Sequence, residues 1–74
     1  MKVEYKIVNY GTRRSPGKYS IDEYVGGNYL SQAAFYFKNR EHAELRLLQM
    51  LAEDRAKGLD SFTMERFIYA TAKH

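Results

Sequence analysis

Over residues 1–10 apolar and charged positions alternate, with Val3, Tyr5 and Ile7 on one side and Lys2, Glu4 and Lys6 on the other. Successive side chains of a strand point to opposite faces, so this period of two predicts a half-buried strand. A returning arm begins at Lys18, with Tyr19, Ile21 and Val25 on one face and Ser20, Asp22 and Tyr24 on the other, and the alternation breaks at Glu23. Between the arms lies the loop 11-GTRRSPGKY-19. Pro16 and Gly17 suit the centre of a type II turn, because proline presets the first dihedral and glycine tolerates the positive one. Gly26-Gly27-Asn28 is a second turn signal, and residues 29–38 read as a third strand whose apolar face is Ala33, Phe35 and Phe37.

The period then lengthens. Asn39 is placed to cap a helix over residues 40–57, a stretch without proline or glycine that Gly58 ends at the C′ position. Ala43, Leu47, Leu48, Leu51 and Ala52 form its expected core stripe. Arg46, Gln49, Glu53 and Lys57 lie opposite, Glu53 and Lys57 spaced as an i,i+4 pair, with Leu45 and Met50 at the edges of the polar face. The tail, 61-SFTMERFIYATAKH-74, reads as a last strand because threonine and aromatic residues dominate it. Phe62, Met64, Ile68 and Ala70 would face one way and Thr63, Phe67, Tyr69 and Thr71 the other, while a short helix capped by Ser61 is the alternative. The predicted fold is α+β: a small antiparallel sheet of three to four strands packed on one α-helix in the order β-β-(β)-α-β. Residues 1–74 make a single domain without internal repeat or linker.

Composition narrows the kind of job. The chain is 45% apolar, 28% charged and 15% aromatic, which is the balance of a chain that packs a core. At 74 residues it is small for an enzyme that needs a deep pocket and a separate cofactor lobe. It carries no cysteine, so neither disulfides nor thiolate zinc ligation supplement the core. The alternating N-terminus does not read as the apolar centre of a secretory leader, and no apolar run approaches the roughly 20 residues that cross a bilayer. The expected location is the cytoplasm, with no membrane partner.

Catalytic chemistry finds little footing. The two histidines, His42 and His74, have neither a second histidine at helical spacing nor a cysteine nearby, so no metal site is expected. No serine stands in a nucleophile-elbow context. The adjacent acid pairs Asp22-Glu23 and Glu53-Asp54 point apart on strand or helix and read as surface charge. Gly26-Gly27 lacks the further glycine and Lys-Ser/Thr of a phosphate loop. The expectation is a non-enzymatic protein without cofactor.

Charge is uneven. Residues 1–38 hold six Lys/Arg against three Asp/Glu, whereas residues 39–74 hold six of each, so the formal excess of +3 sits in the N-terminal half. Arg13, Arg14 and Lys18 equal it. A basic loop flanked by Tyr10 and Tyr19 is suited to gripping phosphates while rings stack on bases or pack on a protein. Tyrosine is the other excess, seven in all, with five in the first thirty residues at both odd and even positions. One strand face cannot bury them all, and exposed tyrosine beside arginine is the composition of interface hot spots. Arg13, Arg14, Lys18, Tyr10, Tyr19 and Tyr24 are the candidate binding residues.

In size, lack of cysteine and hairpin-helix-strand layout the chain resembles small phage-encoded host-takeover proteins. These are transcription regulators that dock on bacterial RNA polymerase, and anti-CRISPR proteins that block an effector complex. The resemblance covers the general form of the whole chain and rests on no motif, so it assigns no residue. It implies a stoichiometric modulator or inhibitor, monomer or dimer, that docks on a large host protein complex with its basic loop near that machine's nucleic acid. The alternative is a direct single-stranded RNA or DNA binder using a tyrosine-bearing sheet, although the aromatic-glycine signature of RNA-recognition modules is absent.

Overall fold

The computed structural model describes residues 2–70. Their elements are β1 (Val3–Asn9), β2 (Tyr19–Val25), β3 (Asn28–Phe37), α1 (Arg40–Ala56) and β4 (Ser61–Thr63). The strands form one sheet in the order β3-β2-β1-β4 with α1 packed across one face, an α+β fold as the sequence predicts. The sheet is mixed, however, not wholly antiparallel. β1, β2 and β3 form an antiparallel meander, and β4 pairs with β1 in parallel. The helix explains this: it carries the chain back across the sheet from the end of β3, which runs the same way as β1, so the next strand must also run that way.

Odd positions of β1 and β2 meet the helix, with Ile7 opposite Ile21 and Tyr5 opposite Glu23. The core is Tyr5, Ile7, Ile21, Ala43, Leu47 and Met50. The Tyr5 hydroxyl donates to Asp54 at 2.7 Å, tying β1 to the end of α1, and burial together with that carboxylate pushes the phenol upward from its ordinary pKa. The β2–β3 turn is tight, and positive φ at both Gly26 (59°) and Gly27 (84°) matches a type I′ hairpin. In the longer β1–β2 loop, Gly17 takes the positive φ expected of it, while the mutual backbone bonds of Thr12 and Ser15, 3.0 and 3.2 Å, set the tip.

β3 does not present the face its alternation predicts. Its register against β2 slips three times, and Ala34 and Phe37, in place of Ala33, Phe35 and Phe37, pack on the core. A bulge adds one residue to one strand and moves every later side chain to the other face. Tyr36 sits at φ 70°, a left-handed conformation uncommon outside glycine, and Phe35 and Tyr36 are left exposed.

The ends of α1 follow the sequence. Asn39 accepts from the His42 N–H at 3.0 Å, and the Gly58 and Leu59 N–H groups bond back to Arg55 and Asp54 in a Schellman closure. The buried stripe is rotated, consisting of Ala43, Glu44, Leu47 and Met50 with Leu51 partly buried, while Ala52 is exposed. Glu53 pairs with Arg46 at 3.0 Å and not with Lys57.

Glu44 accounts for much of this rotation. Its fully buried carboxylate accepts from the Tyr69 and Ala70 N–H groups at 2.9 and 3.0 Å and pairs with Arg40 at 2.8 Å. Burial alone would raise its pKa, but the N–H groups of Ala70 and Tyr69 and the Arg40 guanidinium hold it below the ordinary carboxylate range. Residues 64–70 are therefore neither part of the expected long strand nor a helix capped by Ser61. Glu65 accepts from the Ile7 N–H at 3.1 Å and from Arg40 at 3.2 Å, so side chains replace the strand ladder along the β1 edge. Thr71, assigned above to that strand, lies outside the described residues.

Candidate binding face

Even positions of β1, β2 and β4 point away from α1, and among the described residues no other element covers them. Because β1, β2 and β4 keep register here, their side chains form rows across the sheet. Phe62 and Tyr24 flank Glu4, with Tyr29 beyond Tyr24; the next row holds Lys6, Asp22 and Gln32. Tyr24 and Tyr29 meet edge to face at 5.7 Å, and the Lys6 ammonium lies 4.4 Å from the Tyr24 ring centroid. Lys2 stands over Phe62 at 5.9 Å. The result is an aromatic band held by cation–π contacts.

Asp22 anchors the centre. Although it lies on the open face it is only 3% exposed, because the Tyr10 hydroxyl donates to one carboxylate oxygen and the Ser20 hydroxyl to the other, each at 2.8 Å. A buried charge must be hydrogen-bonded, and these two donors satisfy it while fixing the Tyr10 ring over the sheet. Desolvation first, then the charge of Asp22 and the neighbouring phenols of Tyr10 and Tyr24, pushes the Tyr29 phenol upward from its ordinary pKa.

Of the residues singled out from the sequence, Tyr10, Lys18 and Tyr24 belong to this face or its rim. Tyr19 turns partly inward: its position pairs with Asn9 and Phe37 and it packs against the core, while it also lines the cleft beside Tyr10 and Lys18. Arg13 and Arg14 are exposed at the loop tip and make no ion pair with the described residues. The loop is nevertheless seated, closed by the Tyr10 N–H to Lys18 carbonyl bond at 2.7 Å and pressed so closely on the Lys38 carbonyl that a Cβ at Gly17 would lie 2.3 Å from it. Lys6, Asp22, Tyr29 and Phe62 are members of the face that sequence reasoning missed, although the even-numbered period that places Tyr24 there also carries Lys6 and Asp22.

The acid pairs point apart as neighbours do, but Asp22, at 3% exposure, is a buried carboxylate and not the surface charge expected of it. Asp22 lies on the open face and Glu23 opposite Tyr5; Glu53 bonds to Arg46 and Asp54 to Tyr5. Among the described residues no group of three histidine, cysteine, aspartate or glutamate side chains is gathered for a metal ion; His42 is exposed in the first turn of α1, and His74 lies outside the described residues. No helix of the described residues is long and apolar enough to cross a membrane. No protein-family model matches the chain, and neither curated proteins nor solved structures give a significant match.

Proposed function

We propose that this chain is a small stoichiometric binding protein, not an enzyme, that docks the uncovered face of its sheet on a large host protein complex and so modulates or inhibits it. The observation that carries this reading is the aromatic band of Phe62, Tyr24 and Tyr29, fixed in place by Lys2 and Lys6 yet left uncovered by α1. Large ordered aromatic side chains give much contact area for little lost entropy, which is the economy of interface hot spots.

The resemblance to phage host-takeover proteins points to a cytoplasmic nucleic-acid machine, with bacterial RNA polymerase as the first candidate and an anti-CRISPR target as the second. The cations of the β1–β2 loop, which make no ion pair among the described residues, support an anionic docking surface on that machine. A single-stranded nucleic-acid module is the competing reading, favoured by the same exposed rings. It is weakened by how the rings are used: stacking platforms need open ring faces, whereas Lys6 covers Tyr24, and Tyr24 and Tyr29 meet edge on.

The test is capture from bacterial lysate, with and without nuclease and at two salt concentrations, by the unaltered chain and by Tyr24→Ala and Tyr29→Ala variants whose folding is verified by circular dichroism. A protein retained after nuclease and lost by these variants is expected. Retention that depends wholly on nucleic acid overturns the proposal.

A further inference from the structure

Beside the aromatic band, the far end of the same face is concave. Tyr10, Lys18, Tyr19, Gln32, Phe35 and Tyr36 are among the residues lining an open cleft of about 400 Å³, near the lower end of the range of sites that hold a ligand group. Its walls come from the features that depart from regular strand geometry. The Tyr10 ring is held by the Asp22 carboxylate, and the bulged end of β3 turns Phe35 and Tyr36 outward, packed edge to face at 4.7 Å.

Lys18 brings a positive charge to the lining, and further basic residues lie close to it in the chain. Tyr10 and Lys18 wall the cleft and also close the loop that carries Arg13 and Arg14, and the same loop rests on the carbonyl of Lys38. None of these four basic side chains makes an ion pair with the described residues. Positive charge beside an apolar opening, without an ion pair among the described residues, favours a ligand with an apolar anchor and flanking negative charge.

We infer that this cleft receives an acidic segment of a protein partner, one bulky apolar or aromatic side chain entering between Tyr10 and Phe35–Tyr36 while neighbouring carboxylates meet Lys18, Arg13, Arg14 and Lys38. Nucleic acid offers the same combination of ring and negative charge. It fits less well because Phe35 and Tyr36 stand at 71° to each other, so they cannot sandwich a flat base between parallel faces. The inference rests on the binding role proposed above and adds the chemistry of the partner.

The test uses the ¹⁵N-labelled chain, titrated to millimolar concentration with the heptapeptide Asp-Glu-Asp-Phe-Asp-Glu-Asp, with the same peptide bearing alanine for phenylalanine, and with dodecathymidylate. Saturable shifts of the Tyr10, Lys18, Phe35 and Tyr36 amides are expected with the first peptide. Affinity should fall by about tenfold for the alanine peptide, as loss of a large apolar anchor requires, and should fall again for the Arg13→Glu/Arg14→Glu variant. Absence of saturable shifts, equal affinity for the two peptides, or tighter binding of dodecathymidylate at these amides overturns the inference. Tyr24→Ala, at the other end of the face, separates the two levels. If it abolishes partner capture while the peptide leaves the cleft unshifted, the acidic-segment inference fails and the docking face stands; if it leaves capture intact, the docking face fails.

Discussion

The Tyr10 hydroxyl donates to the Asp22 carboxylate at 2.8 Å, joining the end of β1 to the middle of β2 across the face that α1 leaves open. With the Ser20 hydroxyl on the other oxygen, this bond helps to make a buried charge tolerable, and it stands an aromatic ring at the wall of the cleft. Tyr10→Phe keeps the ring and removes the donor. Bonds to charged groups are worth about 1.5–3 kcal/mol, so a stability loss near the lower end is expected for this half-exposed donor, measured by urea denaturation. No loss would show that solvent replaces the hydroxyl.

Core packing concentrates at Leu47, which is fully buried, while Leu51 is partly exposed and Leu48 lies toward the side of the stripe. Leu47→Ala should therefore lose about 2–5 kcal/mol, and Leu51→Ala should lose less. Denaturation of the two variants side by side checks the order; the reverse order would place the helix in a different rotation.

Much of this architecture was legible in the sequence, and the exceptions share a cause. Asn39, Gly58 and Gly26-Gly27 act through their own or adjacent backbone, so local chemistry reveals the ends of α1 and the second turn. Glu44 acts through N–H groups 25 and 26 positions away, and no period within the helix announces that a carboxylate belongs on its buried side. The face of β3 was misread because alternation presumes a constant register, which three slips against β2 remove. The tail was misread because Thr63 and Glu65 bond to β1 by side chain, a choice that strand propensity does not encode. Alternation along β2 puts Tyr24 and Tyr19 on opposite faces, and Tyr19 does pack on the core; Tyr10 is singled out in the sequence only as a neighbour of the basic loop, and its bond to Asp22, twelve residues on, is what sets it on the open face.

The Glu44 clamp sets a pH dependence. Its pKa is depressed in the folded chain, so the carboxylate contributes stability that is fully present above its unfolded value of about 4.3 and is lost as pH falls through the folded value. The stability difference between the unaltered chain and Glu44→Gln should be constant from pH 7 to about pH 5 and shrink below the ordinary glutamate value of about 4.3. Denaturation curves at successive pH values measure it. A difference that does not shrink in acid would mean that packing, not charge, holds the 64–70 segment.

Gly17 combines positive φ with close approach to the Lys38 carbonyl. An added methyl group meets both constraints, so Gly17→Ala should lose more than the roughly 1–2 kcal/mol of left-handed backbone strain alone. Thermal denaturation gives the loss, and altered amide shifts at Lys18 and Lys38 would report the displaced loop. An unchanged melting temperature would contradict the seated loop.

The central claim, that the uncovered sheet face is where the partner docks, is tested most directly by site-specific photo-crosslinking. A benzoylphenylalanine is placed at position 29, on the aromatic band, or at position 49, where the exposed Gln49 lies on α1. Irradiation in bacterial lysate should give a nuclease-resistant crosslink to one large protein from position 29 and none from position 49. A protein crosslink from position 49 alone, or a position-29 adduct that nuclease removes, would contradict the account.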